Sequence, residues 1–99
     1  MAKYKISFTE GALDDLTWFK KNEQTEIRDG IYENLEHEPT LGTRNRKKLR
    51  PNETAEWELR IGQFRVFYDI DAGGQIIVIE AVAEKKGWLL FFQGEERKL

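Results

Sequence analysis

The chain has 99 residues, a net charge of −2 and a hydrophobic fraction of 39%, with three Trp, three Tyr and six Phe. That is one domain, residues 1–99, with enough apolar side chain for a single modest core. With no cysteine and one histidine it has no disulfide or thiolate metal site and a structural zinc is not expected; no apolar run approaches the roughly 18 residues of a membrane span, and Met1-Ala2-Lys3-Tyr4-Lys5 lacks the apolar core of a signal peptide.

The charge is unevenly placed. Residues 44–51 hold five basic side chains and no acidic one, whereas the segments before and after are each net negative. Such a cluster can drive contact with nucleic acid even in a mildly acidic chain, although the low overall charge weakens any general attraction.

Lys3-Tyr4-Lys5-Ile6-Ser7-Phe8 alternates polar and apolar residues, which predicts a strand. Thr9 is placed to cap a helix, with Glu10 at its positive end. Ala12, Leu13, Leu16 and Phe19 follow at helical spacing, with Asp14, Asp15 and Lys20 outside, and Lys21-Asn22 reads as a break. Ile27, Ile31 and Leu35, four apart, form the stripe of a second helix. Gly30 within it costs about 1 kcal/mol relative to Ala, which suggests a close helix–helix contact. His37 lies in the last turn, as a partner for the helix's negative end, and Pro39 stops the helix.

Residues 39–54 read as a connector carrying Arg44, Arg46, Lys47, Lys48 and Arg50, with Leu49 as an anchor. Next comes a β-hairpin. Trp57, Leu59 and Ile61 alternate with Glu56, Glu58 and Arg60; Phe64, Val66, Tyr68 and Ile70 alternate with Arg65, Phe67 and Asp69. Gly62-Gln63 fits a two-residue turn with Gly supplying positive φ. This register opposes Ile61 to Phe64 and Arg60 to Arg65, the arginines pointing to one side of the sheet. Two adjacent guanidiniums repel unless an anion joins them. The internal solution is Glu58 and Glu80; the external one is a bound phosphate.

Asp71-Ala72-Gly73-Gly74 reads as a second turn, and residues 75–83 as a strand apolar on nearly both faces. Glu84-Lys85-Lys86-Gly87 leaves the sheet. The tail holds five apolar residues, Trp88-Leu89-Leu90-Phe91-Phe92, before the charged run Glu95-Glu96-Arg97-Lys98. The order β-α-α-β-β-β predicts an α+β fold, with an N-terminal helical hairpin packed on one face of a mainly antiparallel four-stranded sheet. Tyr4, Ile6, Phe8, Trp57, Leu59, Phe64, Val66 and Tyr68 would face the helices. The opposite face, with Glu56, Glu58, Arg60, Arg65 and Phe67, is where function is expected.

As a whole, the opening strand to Phe8, the helical hairpin ending near Pro39, Lys47-Lys48-Leu49-Arg50, the run from Trp57 to Ile70, and the Val/Ile strand leading into Lys85-Lys86 resemble the RelE/ParE superfamily of type II toxin–antitoxin toxins. The resemblance covers residues 3–87, and the run 57–70 is its most specific part. It implies a small bacterial cytoplasmic toxin, bound by a cognate antitoxin and needing no cofactor or metal. RelE-like members cleave mRNA in the ribosomal A site; ParE-like members poison DNA gyrase.

On the RelE-like reading, Arg65 matches the family's central-strand arginine and is implied to stabilise the transition-state phosphate. Lys85, at the basic position after the last strand, is implied to do likewise, and Arg60 to bind backbone. The chain departs from the pattern at Glu56 and Glu58, which are lysines in the best-known enzymes, and beyond Lys85, where a tyrosine is expected and Trp88 or Phe91 lies nearby. Glu58, beside Arg60, is then the candidate general base. Arg44, Arg46, Lys47, Lys48, Arg50 and Lys86 are candidate RNA contacts; the alternative for the connector is a solvated segment that pairs with acidic antitoxin residues. Trp88, Leu90, Phe91 and Phe92 either cover the core edge or receive the antitoxin. The function expected is a ribosome-dependent mRNA endoribonuclease. The alternatives are a gyrase inhibitor without catalysis and a degenerate toxin that only binds its antitoxin.

Overall fold

The computed structural model describes residues 3–37, 39–40, 42–71 and 73–99. Leu41 of the expected connector, Ala72 of the expected second turn, and Met1 and Ala2 lie outside the described residues. The chain runs β1 (Lys5–Phe8), α1 (Glu10–Trp18), α2 (Lys21–Leu35), β2 (Arg46–Lys48), β3 (Trp57–Ile61), β4 (Phe64–Asp71), β5 (Ile76–Lys86), β6 (Leu89–Phe92) and β7 (Glu95–Glu96). It is an α+β fold with both helices on one face of a sheet ordered β2-β3-β4-β5-β6-β7. All ladders are antiparallel except β1, which pairs in parallel with β5.

Local chemistry sets the helix boundaries. Thr9 Oγ1 accepts the Ala12 N–H at 3.0 Å and so caps α1. The break falls at Phe19-Lys20, earlier than the sequence pattern suggests, because the Glu23 carboxylate accepts the Lys20 N–H at 3.0 Å and starts α2 there. Ala12, Leu16, Phe19, Ile27, Ile31 and Leu35 meet Leu59, Phe64, Val66, Tyr68, Ile77, Ile79 and Val82 in the main core. Gly30 is a close-approach site, but to the sheet rather than to α1. A Cβ there would lie 2.6–2.9 Å from three Ile61 side-chain atoms.

The sheet has three short strands beyond the four expected. β2 comes from the basic connector, β6 from the apolar tail and β7 from the charged run after it, so that the chain folds back as two successive hairpins. A second, smaller apolar cluster on the face away from the helices explains the tail's composition. Phe67, Ala81, Ala83, Ala55 and Phe92 are buried there, with Leu49 and Leu90 packed against them.

β5 is the hub. Its residues 76–79 pair with β1, and residues 84–86 with β6, along the same edge. In the interval between them, Thr9 Oγ1 donates to the Glu80 carbonyl at 3.4 Å, and Asp15 Oδ2 accepts the Val82 N–H at 3.0 Å. Asp15 is therefore buried, not outside as its charge suggested. Its other oxygen accepts from Gln93 Nε2 at 2.8 Å, which ties the β6–β7 turn to α1. Positions 12, 16 and 19 already mark that helix face, and position 15 falls on it.

Candidate nucleic-acid interface on the open sheet face

The β3–β4 hairpin turns at Gly62, whose φ is +56°. Ile61 opposes Phe64 and Arg60 opposes Arg65. Since Phe64 and Val66 point into the main core, the two arginines share the open face. Their exposure differs sharply. Arg60 is exposed, whereas Arg65 is only 6% exposed, and its Nη1 donates to the Gly62 and Phe64 carbonyls, both at 2.9 Å. Those two bonds occupy Nη1 and leave three of the five guanidinium N–H groups for another partner. Burial lowers the Arg65 pKa and the neighbouring Arg60 lowers it further, while Glu58 opposes both. A guanidinium that titrates so far above neutrality nevertheless keeps its charge.

The acidic residues divide into two groups. Glu58 sits opposite Lys47 of β2 and lies 3.8 Å from its ammonium. Glu80 does not join the arginines. The register shifts between Phe67 and Tyr68, and Glu80 turns to Asp69, forming a side-chain hydrogen bond with it. Asp69 also accepts the Glu56 N–H at 2.7 Å. Burial first, then the bond to Asp69 and its charge, push the Glu80 carboxyl up to about 6. The internal neutralisation read from the sequence thus rests on Glu58 alone.

Lys85 is two residues beyond Ala83, which pairs with Arg65, so it shares the open face. Lys86 points the other way, 3.9 Å from Glu84 and with its ammonium 5.3 Å from the Phe91 ring centroid. In the basic segment Arg46 is drawn out of the group. It pairs with Leu59, a core residue, and its Nη1 donates to the Asn34 carbonyl at 2.6 Å and to the His37 carbonyl at 3.5 Å. It thereby satisfies the end of α2. Arg44 is exposed before β2. Lys47, Lys48 and Arg50, with Leu49, Pro51, Asn52 and Leu99, line a concavity of about 610 Å³.

The four apolar tail residues have four different settings. Phe92 is buried in the second cluster under the Arg97 guanidinium, whose carbon is 4.2 Å from the ring centroid. Leu90 packs against that cluster, and Phe91 lies beneath Lys86. Trp88 is 90% exposed at the tip of the β5–β6 hairpin. Phe92 therefore covers the sheet and is not free for a partner. Among the described residues no group of three or more His, Asp or Glu could hold a metal, and no helix is long and apolar enough to cross a membrane.

A helical hairpin on one face of a mainly antiparallel sheet matches the fold of the RelE-like toxins. The chain belongs to the family described as "ParE toxin of type II toxin-antitoxin system, parDE", which it matches over residues 6–86. Among solved structures it is similar to the RelBE2 toxin–antitoxin complex of Mycobacterium tuberculosis, at 27% identity and a TM-score of 0.74, covering 86% of this chain and 94% of that one. It is also similar to the archaeal RelE–RelB complex of Pyrococcus horikoshii OT3, at 20% identity and a TM-score of 0.65 over 86% and 97% of the two chains. The YoeB–YefM complex of Staphylococcus aureus matches at 22% identity and a TM-score of 0.62 over 86% and 99%. A comparison with curated proteins finds no match. The protein is thus a type II toxin–antitoxin toxin of the RelE/ParE superfamily, and its structural neighbours are toxins solved with or without their antitoxins.

Proposed function

We propose that this toxin acts as a RelE-like endoribonuclease on mRNA held by the ribosome, and that its antitoxin silences it. The observation that carries this reading is the direct opposition of Arg60 and Arg65 on the open face, with Lys85 on the same side. Phosphodiester cleavage by a 2′-hydroxyl develops charge on the phosphorane oxygens, and fixed cations are the groups that stabilise it. Arg65, anchored by two carbonyls, is pre-organised to do so; exposed Arg60 holds the neighbouring backbone, and Lys85 adds a third charge. Glu58, on the same face, is the candidate base that accepts the 2′-hydroxyl proton. Lys47 extends the cations of the open face, Lys48 and Arg50 line the concavity beside it, and Arg46 acts structurally.

Inducing wild type, Arg60→Ala and Arg65→Ala in cells tests this. Translation should fail before plasmid supercoiling changes, with cleavage of ribosome-bound mRNA, and both variants should lose the effect. Loss of supercoiling first, with both variants as toxic as wild type, would overturn the nuclease assignment. That outcome belongs to the second reading, a ParE-like gyrase inhibitor. Two observations favour it: the matched family is that of ParE, and Glu56, Glu58, Asp69 and Glu80 bring carboxylates to a face that would otherwise attract phosphate.

A further inference from the structure

We infer that Trp88 is a stacking platform for an unpaired base of single-stranded RNA, placed in line with the arginine pair; the inference rests on the nuclease reading and adds a binding element to it. Among the described residues Trp88 is by far the most exposed large apolar side chain; Trp18 follows at 52%. Its exposure does not come from a loose end. Lys86 pairs with Leu89, so Gly87 and Trp88 form a two-residue turn, and Gly87 has the positive φ, +64°, that such a turn requires. The hairpin is tied down behind the tip: the Arg97 N–H donates to the Leu90 carbonyl at 3.0 Å, Gln93 is bound to Asp15, and the Gly94 turn packs on Trp18. A flat aromatic surface is thus presented on a backbone that is already ordered before binding.

Its surroundings favour a nucleobase over a protein segment. Trp88 lines a concavity of about 480 Å³ with Leu89, Leu90, Glu96, Arg97, Lys98 and Leu99. An apolar floor beside cations suits a base with its phosphate, and Glu96 is the one acid among these lining residues. Along β5 the open-face sequence runs from Ala83, opposite Arg65, through Lys85 to the turn. At about 3.3 Å per residue, the tip stands about 10–15 Å from the arginine pair, a gap that a short single strand crosses. Every base has a π-face, so such a platform tolerates sequence while rejecting a closed duplex. Trp88 lies just beyond the residues that match the family, 6–86.

The test compares the affinity of wild type, Trp88→Ala, Trp88→Phe and Arg60→Ala for a short uridine-rich single-stranded RNA and for the same strand in a duplex. Exposed Trp88 and Arg60 can be replaced without disturbing the core, and a thermal melt checks this. Trp88→Ala should weaken single-strand binding about 5- to 150-fold, the range for losing one stacked base. Trp88→Phe should retain most of the affinity, and duplex binding should not respond to either change. Arg60→Ala should weaken both RNAs. If Arg60→Ala lowers affinity and Trp88→Ala does not, the platform is wrong and the nuclease reading stands. If wild type binds neither RNA, the platform is wrong, and the nuclease reading is decided separately by cleavage of ribosome-bound mRNA. Unchanged RNA affinity with weaker capture of the antitoxin would overturn the inference in favour of a protein contact.

Discussion

Replacing Asp15 with alanine should loosen the C-terminal hairpin and lower global stability far more than a typical helix-surface substitution. Its carboxylate spans two elements, accepting the Val82 N–H at 3.0 Å and Gln93 Nε2 at 2.8 Å. On the edge of β5 away from β4, the Val82 amide has no strand beside it: β1 stops at Phe8, opposite Ile79, and β6 begins pairing at Glu84. Alanine leaves that buried amide unsatisfied, at about 1–3 kcal/mol, and loses a second charge-assisted bond. The sum is about 2–4 kcal/mol, a large share of the roughly 5–15 kcal/mol that holds a domain of this size folded. At about 4–8 °C per kcal/mol, the melting temperature should fall by roughly 8–32 °C. Gln93→Ala removes only the outer bond and should cost about 1 kcal/mol. The assay is thermal unfolding of both variants, with amide hydrogen exchange at Val82. If Asp15→Ala melts no lower than Gln93→Ala, or if Val82 stays as protected as in wild type, the carboxylate does not fill the gap in β5 and the reasoning fails.

Gly30→Ala should destabilise the protein although Ala is the better helix former. The gain of about 1 kcal/mol in propensity is outweighed by an overpacking cost of about 1–3 kcal/mol against Ile61, and adding Ile61→Ala should recover part of the loss in a double-mutant cycle by chemical denaturation. The Glu80–Asp69 pair gives a pH dependence of defined sign. Glu80 is raised from 4.5 to about 6 on folding, so its contribution is fully present below pH 4.5 and is lost as pH rises through 6. Glu80→Gln should therefore flatten that part of the melting-temperature profile and melt higher than wild type above pH 6; an unchanged slope would contradict the pairing. Arg46→Gln should cost about 1 kcal/mol by releasing the Asn34 carbonyl yet leave RNA affinity within about twofold; a drop comparable with that of Arg60→Ala would make Arg46 a ligand residue.

The sequence disclosed the parts of this fold whose pattern is local. Gly62-Gln63 between two alternating runs fixes the β3–β4 register, and with it the face shared by Arg60 and Arg65. The stripe Ile27, Ile31, Leu35 fixes the buried side of α2. What escaped depends on partners distant in the chain. Arg46-Lys47-Lys48 shows no apolar alternation because β2 is a short edge strand, where lysines are tolerated and blunt the edge. In Leu89–Phe92 the alternation is hidden because both faces are apolar: Leu90 and Phe92 meet the second cluster, while Phe91 packs under Lys86. The turns were visible in principle. Gly87-Trp88 and Gln93-Gly94 are two-residue signals of the same kind as Gly62-Gln63, and Gln93 and Gly94 both take positive φ, 51° and 81°. The arginine pair was legible in register but not in exposure, since only the folded backbone reveals that the carbonyls of Gly62 and Phe64 hold Arg65.

The division of β5 between β1 and β6 has a consequence for handling the protein. Phe8 meets Ile79 and Phe91 meets Glu84, so a single strand holds both the beginning and the end of the described chain. Neither seam closes until sequence-distant pieces have come together, which slows folding relative to a local meander. Cutting the chain after residue 86, where the family match ends, would strip one half of that edge and leave a bare row of amides and carbonyls next to Val82. Such a shortened toxin should self-associate through strand pairing, and purification of trimmed versions is where that behaviour would first be seen.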